Sequence, residues 1–481
     1  MKKAKKNKKI KKTIVFVNPP ASKEEQCSDF SPIAGFDPPY GLCYMASAIR
    51  EAGYKPYIID AYILMYDVDK TAGEILKRKP DYICITATVF SINSAIRLAR
   101  ALRKKTRIKL LIGGSQFSAM PRETIKHFDI GVYGEGERTL LEMLDALDKK
   151  QPLKGIDGVV YKQKGRVIIN KPRPLIKDLD ELPKPAFDLI PHIPKYYQLP
   201  VQSMTKYPSM SLISSRGCYG QCTFCDRRIF GNRLRTHSAQ YLFELIKDLV
   251  QKYGVKAIMF HDDNFLVFKK RNLELLKLLK KAGIKLRINC LARVDMIVAD
   301  SSREYLEKLK QGGLWQINLG IESGSQKILN FFKKNITIKE VEKAVNTLDS
   351  LGIRCKGFFM LGNPLETKKT LEQTRRLIKR LKITDIGVTY FTPLPGSEIF
   401  PVIEKYGKVS YDFDKYNFFE IVFLPKGLKK KDLVHYYTLV YKEFYLRPKI
   451  VFDYIKRIDN PKQVIYLLKG LDVFSKHIFR K

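Results

Sequence analysis

A chain of 481 residues is long enough for two or three domains, each with its own core. Its composition, 45% hydrophobic and 28% charged, excludes a low-complexity or fibrous chain, and no apolar run reaches the roughly 18–20 residues of a membrane-spanning helix. The formal charge of +39 invites a polyanionic partner, but the lysines are scattered and not interleaved with aromatics, so no specific nucleic acid is expected.

The first twelve residues, MKKAKKNKKIKK, carry eight lysines and read as a disordered basic tail over 1–12 that would touch phosphates or anionic lipid. No apolar stretch or cleavage site follows it, so it does not read as a signal peptide and the cytoplasm is the expected compartment. From Thr13 short apolar runs alternate with amphipathic segments, the pattern of a parallel α/β sheet. Strands are expected at 13–20, 54–60, 81–88, 108–114 and 129–134, with helices near 41–53, 68–79, 92–105, 119–127 and 137–149. This order predicts a flavodoxin-like (Rossmann-type) domain over 13–150, whose ligand would sit beyond the carboxyl ends of the strands. Thr86 and Thr88 offer hydroxyls there, Gly113 and Gly114 admit close backbone approach, and Gly134-Glu135-Gly136 opens the last helix. The absence of G-x-G-x-x-G after the first strand argues against NAD or FAD.

Residues 151–203 read as a connector, with a hairpin at 158–170 and a Pro-rich stretch at 172–191 that favours an extended path. The strand-then-helix rhythm restarts at 204. Strands are expected at 210–214, 257–263, 285–292, 314–320, 354–361 and 385–392, separated by helices, which predicts a partial (β/α)6 barrel over 204–404. After 405 the pattern turns helical, at 430–446, 448–458 and 462–479, with aromatics among lysines. Packing against the barrel accounts for these stretches, and a peripheral membrane contact or lipid dock stands beside it.

The first barrel strand delivers RGCYGQCTFCDRR (216–228), which places Cys218, Cys222 and Cys225 in one loop. Three thiolates so close can hold three irons of a four-iron cluster and leave the fourth without a protein ligand. A zinc knuckle is the competing structure; it needs a fourth ligand, and the nearest candidate is His237. The remaining cysteines, Cys27, Cys43, Cys84, Cys290 and Cys355, read mostly as small core residues, with Cys27 on a loop.

The CxxxCxxC spacing, with Phe224 before the last cysteine, resembles the signature of the radical S-adenosylmethionine (SAM) superfamily. That resemblance implies a [4Fe-4S] cluster held by the three cysteines, SAM chelated to the open iron, and reductive cleavage of SAM to methionine and a 5′-deoxyadenosyl radical. The later strand ends match the superfamily's recurring segments. Asp262 and Asp263 close the second strand, ARVD carries Arg293, GIESG carries Glu322, and GNP carries Gly362 and Pro364. The resemblance implies Arg293 and Glu322 at the methionine or ribose end of SAM, and Gly362 and Pro364 at its adenine side.

The first domain resembles the cobalamin-binding module that precedes many radical SAM cores, on PPYGLCYMASAIREAGY (38–54), IGGSQFSAMPRE (112–123) and GVYGEGERTLLEML (131–144). It departs in lacking D-x-H-x-x-G; the comparable region reads DPPYGL (37–42), so cobalt would have no histidine lower ligand. A sheet without corrinoid that only shapes the substrate pocket is the other reading. The whole chain resembles a cobalamin-binding-domain radical SAM protein. This implies methylation of an unactivated carbon, on a small-molecule or lipid-like substrate, with electrons from a donor such as flavodoxin or ferredoxin. A non-methylating ring closure, as in anaerobic porphyrin-ring cyclases, is the second enzymatic reading. A basic RNA- or membrane-binding protein with a structural cluster is the reading from another class.

Overall fold

The computed structural model describes residues 11–21, 35–200, 206–299, 302–456 and 464. Residues 1–10 of the expected tail, Cys27 and most of the expected helix at 462–479 lie outside the described residues; Lys11 and Lys12, expected in the tail, are instead bonded to the first unit, Lys12 pairing with Asp148 at 2.7 Å. The described residues form two compact units: one of 11–21, 38–192 and 228–230, the other of 35–37, 193–200, 206–227 and those described from 231 onward.

The first unit is built on strands β1 (Thr13–Asn18), β2 (Lys55–Asp60), β3 (Tyr82–Thr86), β4 (Lys109–Gly113), β5 (Ile130–Val132), β6 (Val159–Gln163) and β7 (Arg166–Ile169). Their order is β2-β1-β3-β4-β5-β6-β7. The first five are parallel, while β6 and β7 pair antiparallel. The hairpin expected at 158–170 therefore extends the sheet from five strands to seven, because β5 offers an open edge that β6 satisfies. Helices α1 (Tyr40–Glu51), α2 (Val68–Lys77), α3 (Ile92–Lys105) and α4 (Glu137–Asp148) alternate with the parallel strands. The helix expected at 119–127 breaks into three short turns, Ser115–Ala119, Pro121–Thr124 and Ile125–His127, because Pro121 cannot donate back to the preceding turn.

The stretch 172–191 packs on α1. Tyr44 joins Ile176, Leu179 and Leu182 in one buried cluster, and Ser47 donates to the carbonyl of Lys184 at 2.7 Å. Prolines keep this segment extended, so its carbonyls and amides find partners on the neighbouring helix instead of on themselves.

The second unit carries the parallel sheet β8 (Ser209–Leu212), β11 (Ala257–Phe260), β12 (Arg287–Ala292), β13 (Leu314–Glu322), β14 (Arg354–Leu361) and β15 (Asp385–Tyr390), in sequential order. Two-residue strands β9 (Ser215–Arg216) and β10 (Arg235–Thr236) pair antiparallel across the cysteine loop. Helices α5 (Ala239–Tyr253), α6 (Lys269–Lys281), α7 (Ser302–Gln311), α8 (Ile338–Ser350) and α9 (Lys368–Arg380) make the crossovers. A sheet ordered sequentially from parallel strands curls into a partial barrel with a free edge at each end.

One of those edges, at β15, is covered by a helix. After the small antiparallel pair β16 (Gly407–Val409) and β17 (Phe423–Pro425), helix α10 (Lys430–Tyr445) presents Tyr437, Tyr441 and Tyr445 at i, i+4 and i+8. Tyr437 stacks on Tyr390 at 4.8 Å, the Tyr441 hydroxyl bonds both N–H and C=O of Val388, and the Tyr445 hydroxyl donates to Asp385 at 2.5 Å. Phenols thus satisfy backbone groups that an open strand would leave unpaired. This contact explains the helically spaced tyrosines of 430–445, whereas Phe452, further on, stays 58% exposed. Helix α11 (Pro448–Lys456) follows. Among the described residues no helix is long and apolar enough to cross a membrane.

Candidate active site

In the second unit Ser214 and Ser215 follow β8, Ser215 opening the two-residue β9, and the loop beyond carries the three cysteines. The loop's start is held by Asp262. That side chain is 1% exposed and accepts from the backbone N–H of Ser214 at 2.6 Å, of Ser215 at 3.3 Å and from the Ser214 hydroxyl at 2.5 Å. Arg271, under Asp262, donates to the same hydroxyl at 2.7 Å and lies 3.7 Å from the carboxylate. Asp262 therefore faces the scaffold of the loop. Its neighbour Asp263 is near enough to Cys218 and Cys225 to raise both thiols, and its own carboxyl is raised by burial and by Asp262.

The cysteines also feel one another. Burial pushes the Cys225 thiol up to about 12, and Asp263, Cys222 and Cys218 add to it. Burial raises Cys218 too, against the Gly220 N–H, which lies 3.4 Å from its sulfur. Arg293 extends Nη1 to 3.8 Å from the Cys222 sulfur. Three thiols with N–H donors aimed at two of them suit an anionic iron–sulfur cluster, whose irons must displace the thiol protons. The His237 ring stacks on Tyr241 at 4.0 Å, at the start of α5.

Arg293 is the hub of the pocket. Its Nε donates to Asp295 at 3.1 Å and its Nη2 to the carbonyl of Lys334 at 2.9 Å, while Tyr219, from the cysteine loop, lies under the guanidinium at 5.2 Å and donates to Asp295 at 2.7 Å. Glu322 ends β13 at a register shift, with φ of 69°, and its Oε1 accepts from Lys334 Nζ at 2.7 Å. Lys334 also lies over the Phe224 ring at 5.9 Å, and Phe224 packs edge-on against Phe332 at 4.9 Å. Cys222, Phe224, Arg293 and Glu322 are thus joined through Lys334 and its backbone. Neither Lys334 nor Tyr219 carries a sequence signal; both enter through tertiary contact.

Gly362 and Pro364 are buried in the turn after β14, and Glu366 closes it. The Glu366 carboxylate accepts from Asn363 Nδ2 at 2.8 Å and from the Thr370 hydroxyl at 2.5 Å. Burial nevertheless dominates and pushes its carboxyl from 4.5 up to about 7. A carboxyl raised on folding holds its proton more tightly in the folded state, so its contribution to stability is complete below pH 4.5 and declines as pH rises to about 7. The expected result is a Glu366 contribution to the unfolding free energy that falls by about 3 kcal/mol across this window and lowers the wild-type urea midpoint accordingly. Glu366→Gln, which cannot titrate, removes that part of the slope, as midpoints measured at pH 5 and 8 would show.

In the first unit the crevice lies between β1 and β3, where the strand order reverses direction. Thr86 ends β3 there, and Thr88 follows it, its N–H bonded to Ser91 Oγ at 3.0 Å. Gly113 ends β4. Gly114, at φ 100°, passes so close to β3 that a Cβ would stand 2.4 Å from the Ala87 carbonyl and 2.9 Å from Thr86 Oγ1. Ser118, missed in the sequence, ties this edge together: its hydroxyl donates to the Gly114 carbonyl at 2.9 Å and accepts from Gly134 N–H at 3.0 Å. Gly134 has open space where a Cβ would project. Glu135 is turned inward, accepting from the Ile176 N–H at 2.8 Å. An edge of hydroxyls and bare backbone fits a bulky planar cofactor. No histidine precedes His127 in the chain, and His127 stands before β5, at the opposite edge of the sheet. Within 13–150 there is thus no other histidine to place under cobalt.

Comparisons with known proteins agree with both units. The radical SAM superfamily model matches residues 212–378, and the B12 binding domain model matches 31–144. An uncharacterized methyltransferase of Pyrococcus horikoshii is 33% identical over 425 residues, which cover 86% of this chain and 89% of that protein. An anaerobic magnesium-protoporphyrin IX monomethyl ester cyclase of Cereibacter sphaeroides is 27% identical over 96% of this chain and 75% of its own length. Of solved structures, the cobalamin-dependent SAM radical enzyme OxsB, with aqua-cobalamin bound, superposes with a TM-score of 0.75 at 16% identity. That match covers 97% of this chain and 72% of OxsB, and it establishes the shared fold. The chain belongs to the cobalamin-binding radical SAM family, as an enzyme whose cofactors are a [4Fe-4S] cluster, SAM and cobalamin.

Proposed function

We propose that this enzyme methylates an unactivated carbon of a small-molecule substrate, drawing electrons from a flavodoxin- or ferredoxin-type donor. The observation that carries this reading is the 33% identity to an uncharacterized methyltransferase along 89% of that relative's length. When bound, the cluster with SAM supplies a hydrogen-abstracting radical and the corrinoid supplies a transferable methyl group. Cys218, Cys222 and Cys225 hold the cluster. Arg293 and Glu322, linked through Lys334, orient SAM beside it, with Asp263 facing the thiols and Gly362 and Pro364 shaping the adenine side. Phe224 and its Phe332 contact exclude water from the loop. Thr86, Thr88, Gly113, Gly114 and Gly134 carry the corrinoid, and Glu135 fixes the backbone beside them. Ring closure is the second reading, favoured by the cyclase relative that matches 96% of the chain.

The test uses the anaerobically rebuilt full chain with cobalamin, a reductant and SAM carrying a deuterated methyl group. Methylation consumes SAM in two ways; with no acceptor added the methyl group stops at the corrinoid, so roughly one S-adenosylhomocysteine per bound cobalamin should form beside 5′-deoxyadenosine from uncoupled cleavage. Cobalt(II) EPR of the washed protein should lack nitrogen hyperfine from below. 5′-Deoxyadenosine without S-adenosylhomocysteine would overturn methylation and leave ring closure. No retained cobalt would mean a first domain that binds no corrinoid.

A further inference from the structure

Inside the barrel a polar belt crosses the sheet, and none of the cofactor contacts uses it. Strand β14 alternates strictly: Cys355, Gly357, Phe359 and Leu361 are buried, whereas Arg354, Lys356, Phe358 and Met360 share the other face. In register with Lys356 stand Asn318 on β13 and Asp385 on β15, and Leu291 on β12 pairs with Asn318. One level lower, Asn289 pairs with Gln316. Barrel interiors are ordinarily filled with branched apolar side chains. Here Asn289, Gln316, Asn318 and Asp385 are each at most 2% exposed. Among the described residues, Asn289 Oδ1 and Nδ2, Gln316 Oε1, Asn318 Nδ2 and Asp385 Oδ2 have no hydrogen-bond partner. Left unpaired, each such group costs about 1–3 kcal/mol, so a bound molecule with polar atoms would be stabilised by meeting them.

Lys356 is the member of the belt that space reaches. Its side chain is 12% exposed, its ammonium stands 3.8 Å from Asp385 Oδ2, and it lies over the Phe358 ring at 5.4 Å. Asp385 meanwhile takes the Tyr445 hydroxyl at 2.5 Å and the Ile386 N–H at 2.8 Å on its other oxygen. Among the described residues no acceptor lies within hydrogen-bonding distance of the Lys356 ammonium, so its donors are unspent. The walls above it are apolar and partly open, formed by Leu291, Phe358 and Met360. Gly387 keeps that space: a Cβ there would stand 2.7 Å from Phe358 Cδ1 and 3.3 Å from Lys356 Cε.

We propose that Lys356 anchors the substrate through a carboxylate, with Asn318 as a second donor and the apolar body lying along Leu291, Phe358 and Met360. A monoanion fits better than a phosphate dianion, because Asp385 already offsets part of the lysine's charge. The inference rests on the reading above in one respect: the substrate reaches the cysteine loop from inside the barrel.

Hexanoate, with hexanamide as its uncharged counterpart, is a suitable probe of the rebuilt full chain at matched ionic strength. Lysine acetylation is followed by peptide mass spectrometry. With hexanoate at about ten times its Kd, Lys356 should acetylate about tenfold more slowly, while hexanamide gives little protection. In thermal melts hexanoate should raise Tm more than hexanamide for wild type and Lys356→Arg, and the two should act alike on Lys356→Met. Equal protection by both probes, or a Lys356→Met protein that still discriminates them, would overturn the proposal. The labelling needs no variant, so a Lys356→Met chain that fails to fold leaves the test standing. Neither readout depends on SAM turnover. Carboxylate binding without S-adenosylhomocysteine would therefore sink the methylation reading alone.

Discussion

Replacing Cys222 with alanine should leave the chain folded and lower 5′-deoxyadenosine formation by more than about a thousandfold, as expected when a group the chemistry cannot do without is removed. Cys222 is 7% exposed, and its sulfur faces Arg293 Nη1 at 3.8 Å. Deleting one sulfur leaves a small cavity, which costs about 1 kcal/mol. That is too little to unfold a domain of this size. The electronic loss is of another order, because two thiolates cannot hold three irons. Iron content, the cluster's visible absorbance and 5′-deoxyadenosine yield should fall together while the circular dichroism is unchanged. A purely structural cluster makes the opposite prediction: Cys222→Ala unfolds, and the wild type never cleaves SAM.

The loop and the strand ends around it were legible because their chemistry is local. Cys218, Cys222 and Cys225 lie within eight consecutive residues, and a strand-then-helix rhythm locates the ends where reactive groups gather. The partners of those groups were not legible, because contact across a barrel leaves no periodic trace. Lys334 meets Glu322 from twelve residues away, and Tyr219 meets Asp295 from seventy-six. The hairpin β6–β7 was visible, but not that it would add two strands to a sheet already complete by its alternation. The tyrosines of α10 showed helical spacing, yet only the open edge of β15 explains why their hydroxyls are needed. Lys356 was invisible for another reason: a lysine in an alternating strand reads as solvent-facing, and here that face is the inside of the barrel.

Asp262 is where fold and site meet, and Asp262→Ala should cost about 3–5 kcal/mol, the range for removing one partner of a buried charge pair. Three donors from Ser214 and Ser215 converge on its carboxylate, and the Arg271 guanidinium, 7% exposed, lies 3.7 Å away. Without the carboxylate that cation is buried and uncompensated, and the two residues that lead into Arg216-Gly217-Cys218 lose their anchor. Stability in urea and iron content after rebuilding should therefore fall together. Asp262→Asn separates the two contributions. Its carbonyl still accepts from Ser214 N–H, but its amide meets the Ser214 hydroxyl and Arg271 as a donor among donors, so stability drops while part of the loop order survives. If Asp262 acted on a cofactor and not on the loop, the alanine variant would be as stable as the wild type and lose only SAM affinity. The geometry favours the first outcome, since every hydrogen bond found for this carboxylate goes to the two serines that lead into the cysteine loop.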